Sequence, residues 1–127
     1  MNLRQIMGLD PEQHFYVGFT ANTVATGIKP DGEVFVSLCD DPGKTISMVD
    51  LIRLPALPSR LVYRHLDGIE FLDVIEGYQL QDGVLTLQYR PAMAKLVRAR
   101  GCHVALGHPD LPVQALEDHL KLLFEAR

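Results

Sequence analysis

The chain has 127 residues, of which 47% are hydrophobic and 22% charged, and it carries a net charge of −4. This length fits one domain spanning residues 1–127, and the apolar content is enough to fill one core and too high for a disordered chain. The negative charge argues against a protein that coats nucleic acid or an anionic membrane, and no apolar stretch is long enough to span a bilayer.

The first half of the chain predicts strands. The aromatic and β-branched run from Phe15 and the stretch 33–38 are typical of strands, and Pro30, Asp31 and Gly32 between them form a turn motif. The stretch 45–54 is ambiguous, because its apolar residues keep a helical spacing while its composition suits a strand.

The second half contains the clearest local signal. Residues 78–81 and 84–89 flank Asp82 and Gly83, which predicts a β-hairpin. Just before it, residues 69–76 fit either a short helix or a bulged strand, and we favour the strand.

Two helices are predicted after the hairpin. Pro91 suits a first helical position and Gly101 a left-handed stop, and a strand over 102–106 follows. Asp110 is the expected N-cap of the last helix, whose leucines form one apolar face. This order of elements predicts an α+β fold: a mostly antiparallel sheet with a short helix and a C-terminal helix packed on one face.

Motifs for catalysis or metal binding are weak. Cys39, Cys102, His103 and His108 are potential metal ligands, but no pair has the spacing of a local metal scaffold, so we predict no metal and no cofactor. Cys102 and His103 are adjacent on a predicted strand, where side chains point to opposite faces, so they cannot form a nucleophile and base pair. Of the other histidines, which include His14, His65, His108 and His119, the sequence selects none as the base.

Charge is segregated along the second half. No lysine or arginine occurs between Arg64 and Arg90, and this window, which we call the acidic window, contains Asp67, Glu70, Asp73, Glu76 and Asp82. Four cations follow it, Arg90, Lys95, Arg98 and Arg100, too few to make nucleic acid a favoured partner. The acidic window is either a binding patch for a cationic partner or a solvated face whose acids pair with the basic helix. Asp40 and Asp41, in a predicted loop, would extend such a patch.

The hairpin from Ile75, the helix from Pro91, the strand from Cys102 and the last helix resemble small immunity proteins of bacterial polymorphic toxin systems, over roughly residues 69–124. The resemblance implies a single α+β domain in the cytoplasm that binds a cognate toxin or effector domain and blocks its active site, with no catalytic residues of its own.

We therefore expect an interaction protein, not an enzyme. Asp67, Glu70, Asp73 and Glu76 would meet cations on a protein partner, and Tyr63 or Tyr78 would supply a packed anchor. Two other functions remain open. One is a small-ligand protein or enzyme with a pocket between sheet and helices that uses Cys102, His108 and Asp110, and the other is a structural homodimer.

Overall fold

The computed structural model describes residues 16–65 and 69–125, and within them it is α+β, as the sequence predicts. Nine strands and two helices follow one another in chain order within these described residues. The strands are β1 (Tyr16–Ala21), β2 (Thr23–Ile28), β3 (Val34–Cys39), β4 (Met48–Arg53), β5 (Val62–His65), β6 (Glu70–Leu72), β7 (Ile75–Gln81), β8 (Val84–Tyr89) and β9 (Gly101–Leu106); the helices are α1 (Pro91–Val97) and α2 (Val113–Glu125).

The strands form two sheets rather than one. The first sheet, which we call sheet A, has the order β1-β9-β8-β7, and the second, sheet B, has the order β2-β3-β4-β5-β6. All pairings are antiparallel except that of β1 with β9, which is parallel. The mostly antiparallel architecture is therefore confirmed.

The two sheets are joined at both edges. Only Asn22 separates β1, an edge of sheet A, from β2, an edge of sheet B, and only residues 73–74 separate β6 from β7 at the other edges. Strands that change sheets in this way form the corners of a stacked pair of sheets. Asp73 makes the second corner with a positive φ of 57°, a conformation that aspartate tolerates better than most residues.

The core lies between the two sheets. Because paired residues share a face, the inward rows can be followed from strand to strand, for example Val36, Leu51 and Tyr63 in sheet B and Val104 and Leu85 in sheet A. All five are fully buried.

Helix α2 closes one side of this core, as expected for the C-terminal helix. It packs on β2, β3 and β4 and buries Leu116, Leu120 and Leu123. At its C-terminal end the carbonyl of Leu122 accepts a hydrogen bond from Arg53 Nη1 at 2.6 Å. Helix α1 packs on β8 and buries Met93.

Several local predictions are confirmed. Asp82 and Gly83 both adopt positive φ, 54° and 74°, as a two-residue hairpin turn requires. The favoured strand over 69–76 is β6 followed by the start of β7, with the corner at residues 73–74 between them, and the stretch 45–54, which the sequence left open, contains strand β4.

Two helix boundaries were wrong. Arg98, not Gly101, makes the left-handed end of α1, with its backbone N–H bonded to the Ala94 carbonyl. Gly101 instead begins β9, where a Cβ would stand 2.1 Å from the carbonyl oxygen of Leu87. Asp110 is not the N-cap of α2, because that helix begins three positions later, at Val113.

Candidate ligand cleft between the two sheets

A cleft of about 430 Å³ opens at one end of the space between the sheets. It lies where β4 begins and β5 ends. Helix α2 contacts the opposite end of β4, where Arg53 donates a hydrogen bond to the Leu122 carbonyl. Cavities that bind small molecules commonly have this size, from roughly 300 to 1,000 Å³. Its walls are formed by Val17, Gly18, Phe19, Ile46, Ser47, Met48, Val49, His65 and Cys102.

Two cross-strand pairs place the wall residues. In sheet A the parallel register sets Val17 beside Cys102, and in sheet B the antiparallel register sets Val49 beside His65. Paired residues point to the same face of a sheet, and here that face is the interior. The fold thus brings Cys102 and His65, from different sheets, to the wall of one cleft.

Behind the wall lies a short chain of polar side chains. The hydroxyl oxygens of Tyr63 and Tyr89 are 2.9 Å apart, and the Tyr63 hydroxyl lies 3.4 Å from His65 Nδ1. The ring of His65 meets that of Tyr63 edge to face, with 4.6 Å between centroids. Each buried hydroxyl therefore has a hydrogen-bonding partner, and contact with Tyr63 holds the His65 ring in place.

Burial favours the neutral forms of the two tyrosines and of the Cys102 thiol. It raises the pKa of Tyr89 to about 12, although the hydrogen bond with Tyr63 opposes the shift, and it raises the pKa of Tyr63 far above its ordinary range. Burial also raises the pKa of the Cys102 thiol to about 12. Because only the thiolate is a good nucleophile, Cys102 offers the cleft a neutral S–H rather than covalent chemistry.

The β3–β4 loop forms the third wall, and Asp40 shapes it. Its carboxylate accepts hydrogen bonds from the backbone N–H groups of Asp41 at 2.8 Å and Ile46 at 3.0 Å. Burial opposes ionisation of Asp40, but hydrogen bonds from the backbone of Ser47, Ile46 and Asp41 together lower its pKa below the ordinary value. Asp41 accepts from the Gly43 N–H at 2.9 Å. In the structure both acids organise the loop beside the cleft, and a partner contact through them stays a prediction.

The acids of the acidic window are distributed over different parts of the molecule. Asp73 accepts hydrogen bonds from the Leu61 N–H at 2.8 Å and from Arg60 Nε, and so fixes the corner between β6 and β7. Glu70 is exposed on β6, with Oε1 3.4 Å from Arg64 Nη1. Asp67 lies outside the described residues.

Glu76 stands apart from these acids. It is exposed on β7, on sheet A, and lines a separate groove beside α1. The acids that the structure describes therefore lie on different elements, and a partner contact through Glu70, Asp73 or Glu76 stays a prediction.

The two expected aromatic anchors differ. Tyr63 has no exposed surface, which corrects its assignment as a surface anchor: its ring packs in the core and its hydroxyl serves the polar chain behind the cleft. Tyr78 is half-buried against Phe124 of α2, with 4.8 Å between ring centroids. Burial, reinforced by Glu117 and Glu125, raises the pKa of Tyr78.

The structure has a cleft between the two sheets and a groove between α1 and sheet A, and of the three residues proposed for a pocket only Cys102 lines either of them. His108 and Asp110 are exposed in the loop before α2. His103 points to the outer face of sheet A, where it stacks on Tyr16 and bonds Thr86 at 3.0 Å.

His65 is the cleft residue that sequence reasoning did not select. The only local signal was the alternation along β5, which places Tyr63 and His65 on the same face, and nothing local showed that this face is the interior. Of the other histidines, His119 bonds the Ala115 carbonyl within α2 at 2.7 Å, and His14 lies outside the described residues.

No group of three or more histidine, cysteine or acidic side chains in the described part of the chain is arranged to hold a metal ion. No helix among the same residues is long and apolar enough to cross a membrane.

The chain matches no protein-family model, and neither curated proteins nor solved structures gave a significant match.

Proposed function

We propose that the protein binds a small, mostly apolar molecule with one hydrogen-bonding group in the cleft between the two sheets. The observation that carries the proposal is the position of His65 and Cys102, from different sheets, on the wall of one cavity whose other walls are largely apolar. Specific small-molecule sites combine an apolar lining with a few convergent polar groups in this way.

The chemistry of the wall favours binding over catalysis. A cleft flanked by valine and phenylalanine side chains favours an apolar body, and Ser47 and His65 supply hydrogen bonds at its rim. Since the Cys102 thiol is protonated at neutral pH, the ligand is held without a covalent bond.

Binding is tested with probes of one apolar chain and three polar heads: octanoate, 1-octanol and octylamine. Addition of a bound probe should raise the unfolding temperature, because it stabilises only the folded state, and should shift the amide signals of residues that line the cleft. If no probe moves these signals at solubility-limited concentrations, the proposal is wrong.

A variant pair locates the binding. Val17→Trp fills the cleft and should abolish the shifts, while Val84→Trp makes the same change on the outer face of sheet A and should leave them intact. His65→Phe keeps an aromatic ring but removes the ring nitrogens, so it should alter the protein's preference among the three polar heads of the probes. Binding that survives Val17→Trp would place the ligand elsewhere.

A second candidate is the inhibitor of a toxin or effector domain that the resemblance implies. It is favoured by the edge strand β6, where Glu70 is flanked by two exposed apolar side chains, Ile69 at 53% and Leu72 at 47% exposure. Exposed apolar residues beside a charge are typical of protein interfaces.

Co-production with a toxin domain encoded beside its gene tests this candidate. The wild-type chain should restore growth and the Leu72→Glu variant should not, while Leu122→Glu, at a similarly exposed leucine on α2, serves as the control. Failure of the wild-type chain to restore growth would argue against inhibition of that toxin.

A further inference from the structure

The basic residues around α1 form no ion pair with any acid in the part of the chain that the structure describes. In the described residues, ion pairs join Lys29, Arg60, Arg64 and Lys121 to acids, but none involves Arg90, Lys95, Arg98 or Arg100. Of the acidic window, Asp73 and Glu70 pair with Arg60 and Arg64 in the described residues, rather than with this basic helix. The molecule is acidic overall, yet four cations and only one nearby carboxylate, that of Glu76, lie around α1 without an ion pair in the described residues.

Two of these cations, Lys95 and Arg100, line a groove between α1 and sheet A. The groove encloses about 680 Å³ and is lined by Glu76, Gln88, Tyr89, Pro91, Ala92, Ala94, Lys95 and Arg100. Helix α1 contributes apolar side chains, Pro91, Ala92 and Ala94, and the charged lining residues are two cations and one carboxylate.

Exposed apolar side chains continue the surface beyond the groove. Leu96 is 69% exposed and Val97 is 38% exposed, both on α1 next to Lys95. We call this combined surface, made of the groove and the residues 95–100, the basic groove. Water-exposed leucine next to unpaired cations is unfavourable for an isolated surface and suits one that is covered on binding.

We propose that the basic groove docks an acidic polypeptide segment that carries apolar side chains, contributed by a partner protein. The charges of the groove complement carboxylates, and Leu96 and Val97 complement the apolar residues of such a segment. Two lining cations neutralise few phosphates, whereas the exposed Leu96 and Val97 can pack on apolar side chains, so a peptide fits better than a nucleic acid strand. The basic groove shares no residue with the ligand cleft or with the edge strand β6.

The test uses a short labelled peptide in which pairs of glutamates flank single leucines. Its binding to the full chain is followed by fluorescence anisotropy and by amide signals. We expect saturable binding that shifts the signals of residues 88–100 and weakens as salt is added. The same peptide with glutamine in place of glutamate, or with alanine in place of leucine, should bind more weakly, because both features contribute.

Matched charge reversals decide whether the groove is the site. The double variant Lys95→Glu with Arg100→Glu should weaken peptide binding by at least about tenfold, since two attractive contacts become repulsive. Lys29→Glu with Lys121→Glu changes the net charge equally at remote positions and should have little effect. Equal weakening of peptide binding by both double variants would show that binding depends on net charge and not on the groove, and it would overturn the proposal.

Two further results would also overturn it. One is the absence of peptide binding to the wild-type chain at low salt, and the other is tighter binding of oligothymidylate than of the peptide with shifts at the same residues. Circular dichroism and the unfolding temperature verify that each variant is folded, so that lost binding reports the groove alone.

Discussion

The hydroxyl groups of Tyr63 and Tyr89 lie 2.9 Å apart in the core and join β5 of sheet B to β8 of sheet A. Both tyrosines are buried, and the pair stands directly behind the cleft wall at His65. The contact therefore couples the stability of the two-sheet core to the shape of the candidate site.

Removal of either hydroxyl should destabilise the protein unequally. Tyr63→Phe deprives both Tyr89 and His65 of a partner, whereas Tyr89→Phe leaves the hydroxyl of Tyr63 beside His65. In urea unfolding, Tyr63→Phe should lower the free energy of unfolding by about 1–3 kcal/mol and Tyr89→Phe by less. The reason is that a buried polar group left without a hydrogen bond carries the larger cost.

The double variant provides the control for this contact. With both hydroxyls removed, the loss should be smaller than the sum of the single losses, since no tyrosine hydroxyl is left unpaired. Additive losses, or a larger loss for Tyr89→Phe, would contradict the arrangement.

Gly101→Ala should be severely destabilising. The added Cβ would stand 2.1 Å from the carbonyl oxygen of Leu87 and 2.9 Å from the Tyr16 ring, and the carbonyl belongs to a paired strand that cannot move alone. A loss of roughly 3 kcal/mol or more is expected, and it is measured by thermal or urea unfolding. Gly77→Ala is the matched control, because a Cβ there meets nothing within 4 Å. Similar losses at both positions would contradict the close approach of β1, β8 and β9.

The loop wall of the cleft should respond to acid through Asp40. Its pKa is lowered in the folded state from the ordinary 3.8, so its carboxylate stabilises the fold above that value and loses this contribution as pH falls through the folded-state pKa. The wild-type chain should therefore be more stable than Asp40→Asn near neutral pH, and the difference should shrink in strong acid. Urea midpoints measured from neutral pH downward give the comparison.

Asp82→Asn is the control for this pH series. Asp82 is exposed at the hairpin turn, where asparagine also tolerates positive φ, so its replacement should leave the urea midpoint nearly unchanged. A difference for Asp40→Asn that grows as pH falls would contradict the role of its carboxylate in the loop.

Cys102 should be unreactive toward thiol reagents in the folded protein. It is buried, with 2% exposure, and burial raises its pKa to about 12, so very little thiolate is present at neutral pH. In a Cys39→Ser variant, modification by an aromatic disulfide reagent should proceed only as fast as the protein opens, and denaturant should accelerate it strongly. Rapid modification of the native Cys39→Ser variant would show an activated thiol and restore the enzyme hypothesis.

Charge pairing shows where sequence reasoning stopped. The acidic window was visible as a run of acids without cations, but pairing in a sheet follows register, and the register sets Arg64 opposite Glu70 on one side and Asp50 on the other. Arg64 Nε lies 3.4 Å from Asp50 Oδ2, so one cation serves acids from two neighbouring strands. No local pattern predicts such a register. Only the structure shows that the cations around α1 form no ion pair within the described residues.

The sequence by itself determined the α+β class, the hairpin turn at Asp82 and Gly83, and the apolar face of α2, because these depend on propensity, turn chemistry and periodicity within a few residues. Only the tertiary structure decided that the strands divide into two sheets, that Tyr63 is buried, and that His65 and Cys102 share one cleft. Those outcomes depend on which strands pair and which faces turn inward, and the contacts that decide them join residues far apart in the chain.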